Sequence, residues 1–167
     1  MLKSCGCQMV EIGHAERIKY FNENFTHMSK KINLALKYKL NPIVCIGEVK
    51  YEKNLSKRKK ILKKQIKNIF NKIMHSKNQI ILAYEPIWAI GKNNKAANIN
   101  YCNESIDYIK KSVLKKLSKV SVIYGGSVDE KNYSEFIESK FIDGIFIGRA
   151  ALNANNFIKI CKDITKV

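Results

Sequence analysis

The stretch IILAYEPIWAIGKN, residues 80–93, begins as a buried-looking strand and then runs into a carboxylate and a proline. Ile80 to Tyr84 form a short apolar run of the kind that is buried in a parallel sheet. Glu85 follows directly, and burying a carboxylate is costly unless it is paired or used in chemistry. Glu85 is therefore either a solvated strand end or a general base directed into a pocket, and the stretch alone leaves both interpretations open.

Four further apolar segments share this pattern, and helical patterns separate them. Continuous apolar runs that alternate with helices are typical of a parallel sheet covered on both faces, which places the chain in the α/β class. We find no linker or low-complexity segment in the 167 residues, so we expect a single domain over residues 1–167. The five predicted strands lie in CQMVEIGH, NPIVCIGE, QIILAYEP, VSVIYGGS and DGIFIGRA.

The formal net charge of +17 is the most unusual bulk property of the chain. A strongly basic protein can bind nucleic acid, an anionic surface or an anionic substrate. Most of the positive charge comes from lysines on helical segments such as residues 56–73, where apolar residues recur at helical spacing. That pattern indicates a solvated face opposite a core face. We therefore expect no nucleic-acid partner and keep nucleic-acid binding only as an alternative that the charge suggests.

The sequence also limits the compartment and the cofactors. No apolar run is long enough to cross a bilayer, and the first residues lack the basic and apolar regions of a signal peptide. We therefore expect a cytoplasmic protein with no membrane partner. The 5 cysteines are scattered and match neither a zinc pattern nor a disulfide framework, and Cys45 is most simply a small buried thiol.

Chemically distinctive residues stand at the carboxyl end of every predicted strand. Ligands bind at this edge of α/β sheets, and five such endings are difficult to attribute to packing. The endings are Gly13-His14, Gly47-Glu48, Glu85-Pro86, Gly125-Gly126-Ser127 and Gly148-Arg149.

The last two of these endings indicate a phosphate site. Glycine lets backbone N–H groups approach an anion closely, and the start of a following helix adds partial positive charge. Either motif alone would be read as an ordinary glycine-containing turn. Because both occur at the last two strands and Ser127 adds a hydroxyl, the phosphate-binding interpretation is favoured.

Glu85 and His14 would then face a phosphorylated ligand from other strand ends. A lone histidine is more often structural, and a lone glutamate is more often solvated. Together, a carboxylate and an imidazole can move a proton next to a carbonyl: Glu85 would take a carbon-bound proton, and His14 would stabilise the enediolate oxygen. The sequence shows no metal cluster, nucleophilic serine elbow or dinucleotide fingerprint, which favours an isomerisation or cleavage without a cofactor.

At these residues the sequence resembles the triosephosphate isomerase family. AYEPIWAIGK resembles the family's catalytic-base and lid motif, IGHAER its electrophilic-histidine segment, and YGGSV and DGIFIGRAAL its phosphate turns, in family order over essentially the whole chain. The resemblance implies a TIM (β/α)8 barrel and interconversion of dihydroxyacetone phosphate and glyceraldehyde 3-phosphate, a step of glycolysis and gluconeogenesis. It further implies a homodimer when the barrel is complete, and we expect no cofactor and no metal.

The resemblance also assigns roles to individual residues. Glu85 would be the base and His14 the electrophile, with Glu16 as a supporting carboxylate near the site. The phosphate would be bound, mostly through backbone N–H groups, by Gly91, Ser127, Gly148 and Arg149.

Five positions depart from the family pattern. Ala15 replaces the serine after the catalytic histidine, which removes a hydrogen-bond partner of the glutamate. Ile18 replaces the second arginine of the family's ERR motif, which removes one partner of an ion pair. Asn93 and Ala96 replace a glycine and a threonine of the lid, and Arg149 replaces the second glycine of the last turn. Asparagine tolerates left-handed backbone geometry, so we expect lid closure with altered kinetics.

The resemblance finally implies that the chain is the C-terminal portion of a barrel. A complete barrel has eight strands and about 250 residues, whereas this sequence predicts an incomplete barrel of about five βα units. The family's first-strand asparagine and lysine have no counterpart in a matching motif, so we expect the chain alone to have little or no activity. A non-catalytic phosphate-binding remnant of the enzyme is the alternative function.

Overall fold

The fold is an α/β arrangement in which strands alternate with helices, as the sequence predicts, and four of the five predicted strands form among the described residues. The computed structural model describes residues 1–73, 79–91, 94–113, 117 and 120–165. The strands are Met9–Ile12 (β1), Asn41–Ile46 (β2), Ile80–Tyr84 (β3) and Val120–Tyr124 (β4). The helices are Ala15–Phe21 (α1), Phe25–Lys37 (α2), Leu55–Phe70 (α3), Ile99–Val113 (α4), Tyr133–Ile137 (α5) and Ala154–Ile164 (α6). Short 3-10 turns cover Lys3–Cys5, Ile87–Ala89 and Arg149–Leu152.

The four strands form one parallel sheet in the order β1-β2-β3-β4. The inner strands β2 and β3 are buried along most of their length, because each has a strand on either side. β1 lies at one edge, where the side chains of Met9 and Glu11 are exposed. The predicted parallel sheet is therefore confirmed, and its buried centre carries the strand that ends at Glu85.

Asparagine side chains begin three of the helices. Oδ1 of Asn24, Asn54 and Asn153 accepts the backbone N–H three residues later, at 3.0, 3.1 and 3.2 Å. Such a cap satisfies one of the N–H groups that a helix start leaves without a partner. α1 is capped by His14 instead, so the start of this helix positions a residue of the predicted site.

The lysines of α3 form a solvated face, as the sequence predicts. Leu62, Ile66 and Ile69 are buried, and most of the lysines of the helix are exposed. The buried stripe packs α3 against α2, α4 and β2. Across the described part of the chain, no helix combines the length and the apolar character needed to cross a membrane.

The fifth predicted strand, in DGIFIGRA, is reduced to a single bridge between Ile145 and Tyr124. The N–H of Tyr124 donates to the carbonyl oxygen of Gly144 at 3.0 Å, as in a parallel ladder. The N–H of Val122, however, also donates to the side chain of Asp143 at 2.7 Å. A side-chain acceptor at this position competes with ladder pairing. Within the described ranges, the sheet therefore has four strands and one bridged segment instead of five full strands.

Candidate active site

The parallel register brings the ends of the four strands to one edge of the sheet. Ile12 pairs with Val44, Ile46 pairs with Tyr84, and Tyr84 pairs with Tyr124. The residues that follow these strands therefore lie along a common edge, as the sequence predicts. They include His14, Glu48, Glu85 and Gly125.

Glu85 is buried at this edge, directly after an inner strand. Its exposed fraction is 4%, and its backbone N–H donates to the carbonyl oxygen of Ile46 at 2.8 Å. Gly125 leaves room for the side chain, since a Cβ there would lie 2.8 Å from Cγ of Glu85. Among the described residues, none hydrogen-bonds to Oε2 of Glu85. A carboxyl group that is buried with one oxygen unpartnered is not a solvated strand end, and this favours the general-base interpretation.

His14 lies between β1 and α1, and the start of the helix fixes its ring. Its Nδ1 accepts the backbone N–H of Glu16 at 3.4 Å. A neutral imidazole whose Nδ1 is an acceptor carries its proton on Nε2, and we assign that tautomer. In this form, Nε2–H is the donor that the ring can offer to a substrate oxygen.

Glu85 and His14 meet a third titratable side chain, that of Glu11 on β1. A carboxylate oxygen of Glu11, a carboxylate oxygen of Glu85 and a ring nitrogen of His14 all lie within 4.8 Å of one another. Sequence reasoning identified Glu85 and His14 but missed Glu11. The signal that could have found it is a charged residue inside the otherwise apolar strand MVEI.

Burial and a neighbouring like charge make the Glu85 carboxyl group a weak acid. Burial has the larger effect and Glu11 the second, and together they raise the pKa of Glu85 from its ordinary value of 4.5 to about 8. Burial, followed by both carboxylates, also raises the pKa of the Cys45 thiol, which donates to Glu11 at 3.6 Å. Cys45 therefore stays protonated, whereas Glu85 has a pKa suited to a general base near neutral pH.

The side chains of Glu11, His14 and Glu85 are also a possible set of metal ligands. Two carboxylates and an imidazole are donors that several divalent cations accept. A metal at Nε2 of His14 would require the ring proton on Nδ1, but Nδ1 accepts the N–H of Glu16. The tautomer of His14 thus favours proton transfer over metal binding, and a site without metal stays our prediction.

Glu48, the carboxylate at the end of β2, has a structural role. Its exposed fraction is 1%. It accepts hydrogen bonds from three side chains, those of Tyr84 at 2.9 Å, Trp88 at 3.1 Å and Tyr101 at 2.5 Å. Its backbone carbonyl oxygen also accepts the N–H of Ile87 at 2.9 Å. Glu48 therefore anchors the segment that follows β3, a role that the sequence did not reveal.

Two of the residues expected to bind phosphate lie on turns that contact each other. Both the N–H and the hydroxyl group of Ser127 donate to the carbonyl oxygen of Ala89, at 3.2 and 2.8 Å. Gly91 lies two residues further along and has a φ of 129°, which favours glycine. A ligand that uses Ser127 therefore has to replace these hydrogen bonds to Ala89.

The other predicted site residues, Gly148, Arg149 and Glu16, are exposed. Gly148 and Arg149 are exposed at the start of a 3-10 turn. Glu16 is exposed in the first turn of α1, and it contacts His14 through its backbone N–H and not through its carboxylate. Asn93 lies outside the described residues.

Two departures from the family pattern, Ala15 and Ile18, line a cavity of about 270 Å³ that Glu85 also borders. Neither side chain can donate a hydrogen bond. The absence of a side-chain donor at these two positions agrees with the unpartnered Oε2 of Glu85.

Comparison with known proteins supplies the family. A family model described as triosephosphate isomerase matches residues 1–164. The chain belongs to the triosephosphate isomerase family. Within this family, the motifs that carry His14 and Glu85 fall in the matched range.

Several curated relatives are similar over nearly all of this chain. Triosephosphate isomerase 2 of Listeria innocua is 40% identical over 162 residues, which cover 94% of this chain and 63% of the relative. The triosephosphate isomerase of Dehalococcoides mccartyi is 41% identical over 167 residues, covering 97% and 64%. L-erythrulose-1-phosphate isomerase of Brucella abortus is 35% identical over 165 residues, covering 96% and 64%. The chain thus spans slightly less than two thirds of the length of these relatives.

Proposed function

We propose that this chain carries the base and the electrophile of a triose-phosphate isomerase, which interconverts dihydroxyacetone phosphate and glyceraldehyde 3-phosphate. One observation carries the proposal. The buried carboxyl group of Glu85 has an oxygen without a hydrogen-bond partner and lies within 4.8 Å of an imidazole nitrogen of His14. Relatives named triosephosphate isomerase at 40% and 41% identity support it.

The reaction removes a proton from one carbon and places a proton on its neighbour. Glu85 would take the proton from the hydroxyl-bearing carbon next to the carbonyl group. Nε2–H of His14 would donate to the carbonyl oxygen, which gains negative charge as the enediolate forms. Glu85 would then return the proton to the former carbonyl carbon, while the hydroxyl proton moves between the two oxygens. The sum is an isomerisation that needs no oxidant or reductant.

A coupled assay tests the activity. The purified chain receives glyceraldehyde 3-phosphate, and the dihydroxyacetone phosphate formed is followed through NADH oxidation by glycerol-3-phosphate dehydrogenase. The assay is then repeated after the part of the Listeria innocua relative that this chain does not cover has been added. We expect turnover in the mixture and little or none from the chain alone. Absence of turnover in both samples, with folded protein, would contradict the proposal.

Phosphate binding gives a second test, which also addresses the non-catalytic alternative. We expect 2-phosphoglycolate, a mimic of the enediolate, to shift the amide signals of Ser127, Gly148 and Arg149 in an NMR titration. The amide signal of Ala89 should shift as well, because Ser127 has to break its hydrogen bond to the carbonyl oxygen of Ala89 in order to bind the ligand. Arg149→Ala should weaken binding several-fold, whereas Lys159→Ala, a matched loss of an exposed charge, should not. Binding without turnover would support the remnant, and signals that shift only elsewhere would contradict the phosphate site.

The name of the Brucella abortus relative suggests a second substrate. The same base and electrophile could act on a four-carbon ketose phosphate, because the chemistry involves only the carbons next to the carbonyl group. We propose the triose phosphate as substrate because the relatives with that name are more similar to this chain. Comparison of kcat/KM for L-erythrulose 1-phosphate and dihydroxyacetone phosphate decides between them.

Homodimeric assembly and a cytoplasmic location also stay predictions. Both follow from the reading of the sequence and its family resemblance. Light scattering after size-exclusion chromatography measures the assembly, and fractionation of cells that express the tagged chain measures the location.

A further inference from the structure

Glu11 has no role in the reaction as proposed, yet it lies within reach of Glu85. Side chains alternate along a strand, and Glu11 pairs with Ile43 while Cys45 pairs with Ala83. Glu11, Cys45 and Glu85 therefore project from the same face of the sheet. A carboxylate oxygen of Glu11 and one of Glu85 lie within 4.8 Å of each other.

Each element around Glu85 presents a defined group to it. β1 contributes Glu11 and, just after its end, His14. β2 contributes the Cys45 thiol, which donates to Glu11 at 3.6 Å. On the side of β4 lies Gly125, which has no side chain. Of the groups facing Glu85, Glu11 is therefore the one that carries negative charge.

Glu23 borders the same cavity as Glu85, but its charge is balanced. It forms an ion pair with Lys31 and accepts the N–H of Gly13 at 3.2 Å. In the described ranges, no cation forms an ion pair with Glu11. Lys3 and Lys31 line a second cavity together with Glu11, but neither forms an ion pair with its carboxylate.

We propose that Glu11 is a positioning residue that acts on the reaction through Glu85. Two carboxylates this close repel each other, so Glu85 holds its proton more tightly and is a stronger base once it is ionised. The inference rests on the proposed function, in which Glu85 is the base.

The raised pKa of Glu85 agrees in direction, with burial as its first cause and Glu11 as its second. Burial would act on any carboxyl group placed here. The charge of Glu11 is the contribution that one substitution can remove, and the exposed position of Glu11 on an edge strand makes Glu11→Gln compatible with folding.

The experiment is a titration of the Glu85 carboxyl group by NMR on protein labelled with 13C at glutamate, with Glu85→Gln used to assign its signal. In Glu11→Gln we expect the apparent pKa of Glu85 to fall by roughly one to two units. Glu11→Asp keeps the negative charge and should shift the pKa of Glu85 less. Glu138→Gln, which removes an exposed carboxylate from the end of α5, should leave it unchanged.

The pH dependence of turnover supplies the readout that a purely structural role would not move. In Glu11→Gln, the rise of kcat/KM with pH should begin at lower pH and reach a lower plateau, so that the two profiles cross. A uniform change at every pH, or an unchanged titration of Glu85, would overturn the proposal. So would a wild-type titration that changes when EDTA is added, since the carboxylates would then be metal ligands. A shifted titration, together with no turnover either from the chain alone or from its mixture with the complementary part of the Listeria innocua relative, would support the coupling while contradicting the proposed function.

Discussion

Replacing Glu85 with glutamine is expected to lower kcat by about a thousand- to ten-thousandfold in the sample that shows isomerase activity. The amide matches the carboxyl group in shape and fits the space over Gly125, but it cannot accept a proton from carbon. Binding of 2-phosphoglycolate should survive. The coupled assay measures the loss, and an NMR titration measures the binding.

His14→Gln is the comparison for Glu85→Gln, and it should lower kcat by a smaller factor. A neutral amide can still donate a hydrogen bond to the enediolate oxygen, and removal of one such donor typically costs roughly a hundred- to a thousandfold. The order of the two effects tests the assignment of roles. Unchanged turnover in Glu85→Gln would show that Glu85 is not the base.

Glu85→Gln is also expected to stabilise the fold at high pH. The pKa of Glu85 is raised from 4.5 to about 8 in the folded chain. Between these values the folded chain keeps a proton that the unfolded chain has lost, so wild-type stability falls as pH rises through this window. Glutamine does not ionise, so Glu85→Gln should exceed the wild type above pH 8 by about 3 to 5 kcal/mol in free energy of unfolding.

Urea unfolding of both proteins at pH 5 and pH 9 measures this difference. At pH 5 the two should be close in stability, because Glu85 is then protonated in the folded state. Glu138→Gln is the matched control, since it removes an exposed carboxylate and should show the same pH dependence as the wild type. A Glu85→Gln variant that loses stability at pH 9 would mean that the carboxylate form has a stabilising partner in solution.

Local patterns in the sequence predicted most of the architecture. The apolar runs that became β1 to β4 could be read directly, because a strand buried on both faces selects apolar residues throughout. The fifth segment carried the same pattern, yet it forms one isolated bridge at Ile145, with backbone hydrogen bonds from Asp143 and Phe146 to β4 on either side of it. Its limit depends on the side chain of Asp143, which accepts the N–H of Val122, and a hydropathy pattern does not contain that competition.

The predicted site divides in the same way. Glu85 and His14 were identifiable because they end parallel strands, and parallel strands end at one edge. Their partners were not identifiable. The hydrogen bonds from Ser127 to Ala89, and those from three aromatic side chains to Glu48, join segments that are distant in sequence.

The sequence by itself determined the α/β class and the family, and it predicted a site at the carboxyl edge of the sheet with Glu85 and His14 at its centre, because periodicity and motifs are properties of contiguous residues. Only the tertiary structure decided how firmly Glu85 holds its proton. That property depends on how deeply the carboxyl group is buried and on the strand register that brings Glu11 beside it. Desolvation and charge repulsion act through space, so they became visible only when β1, β2 and β3 were assembled into one sheet.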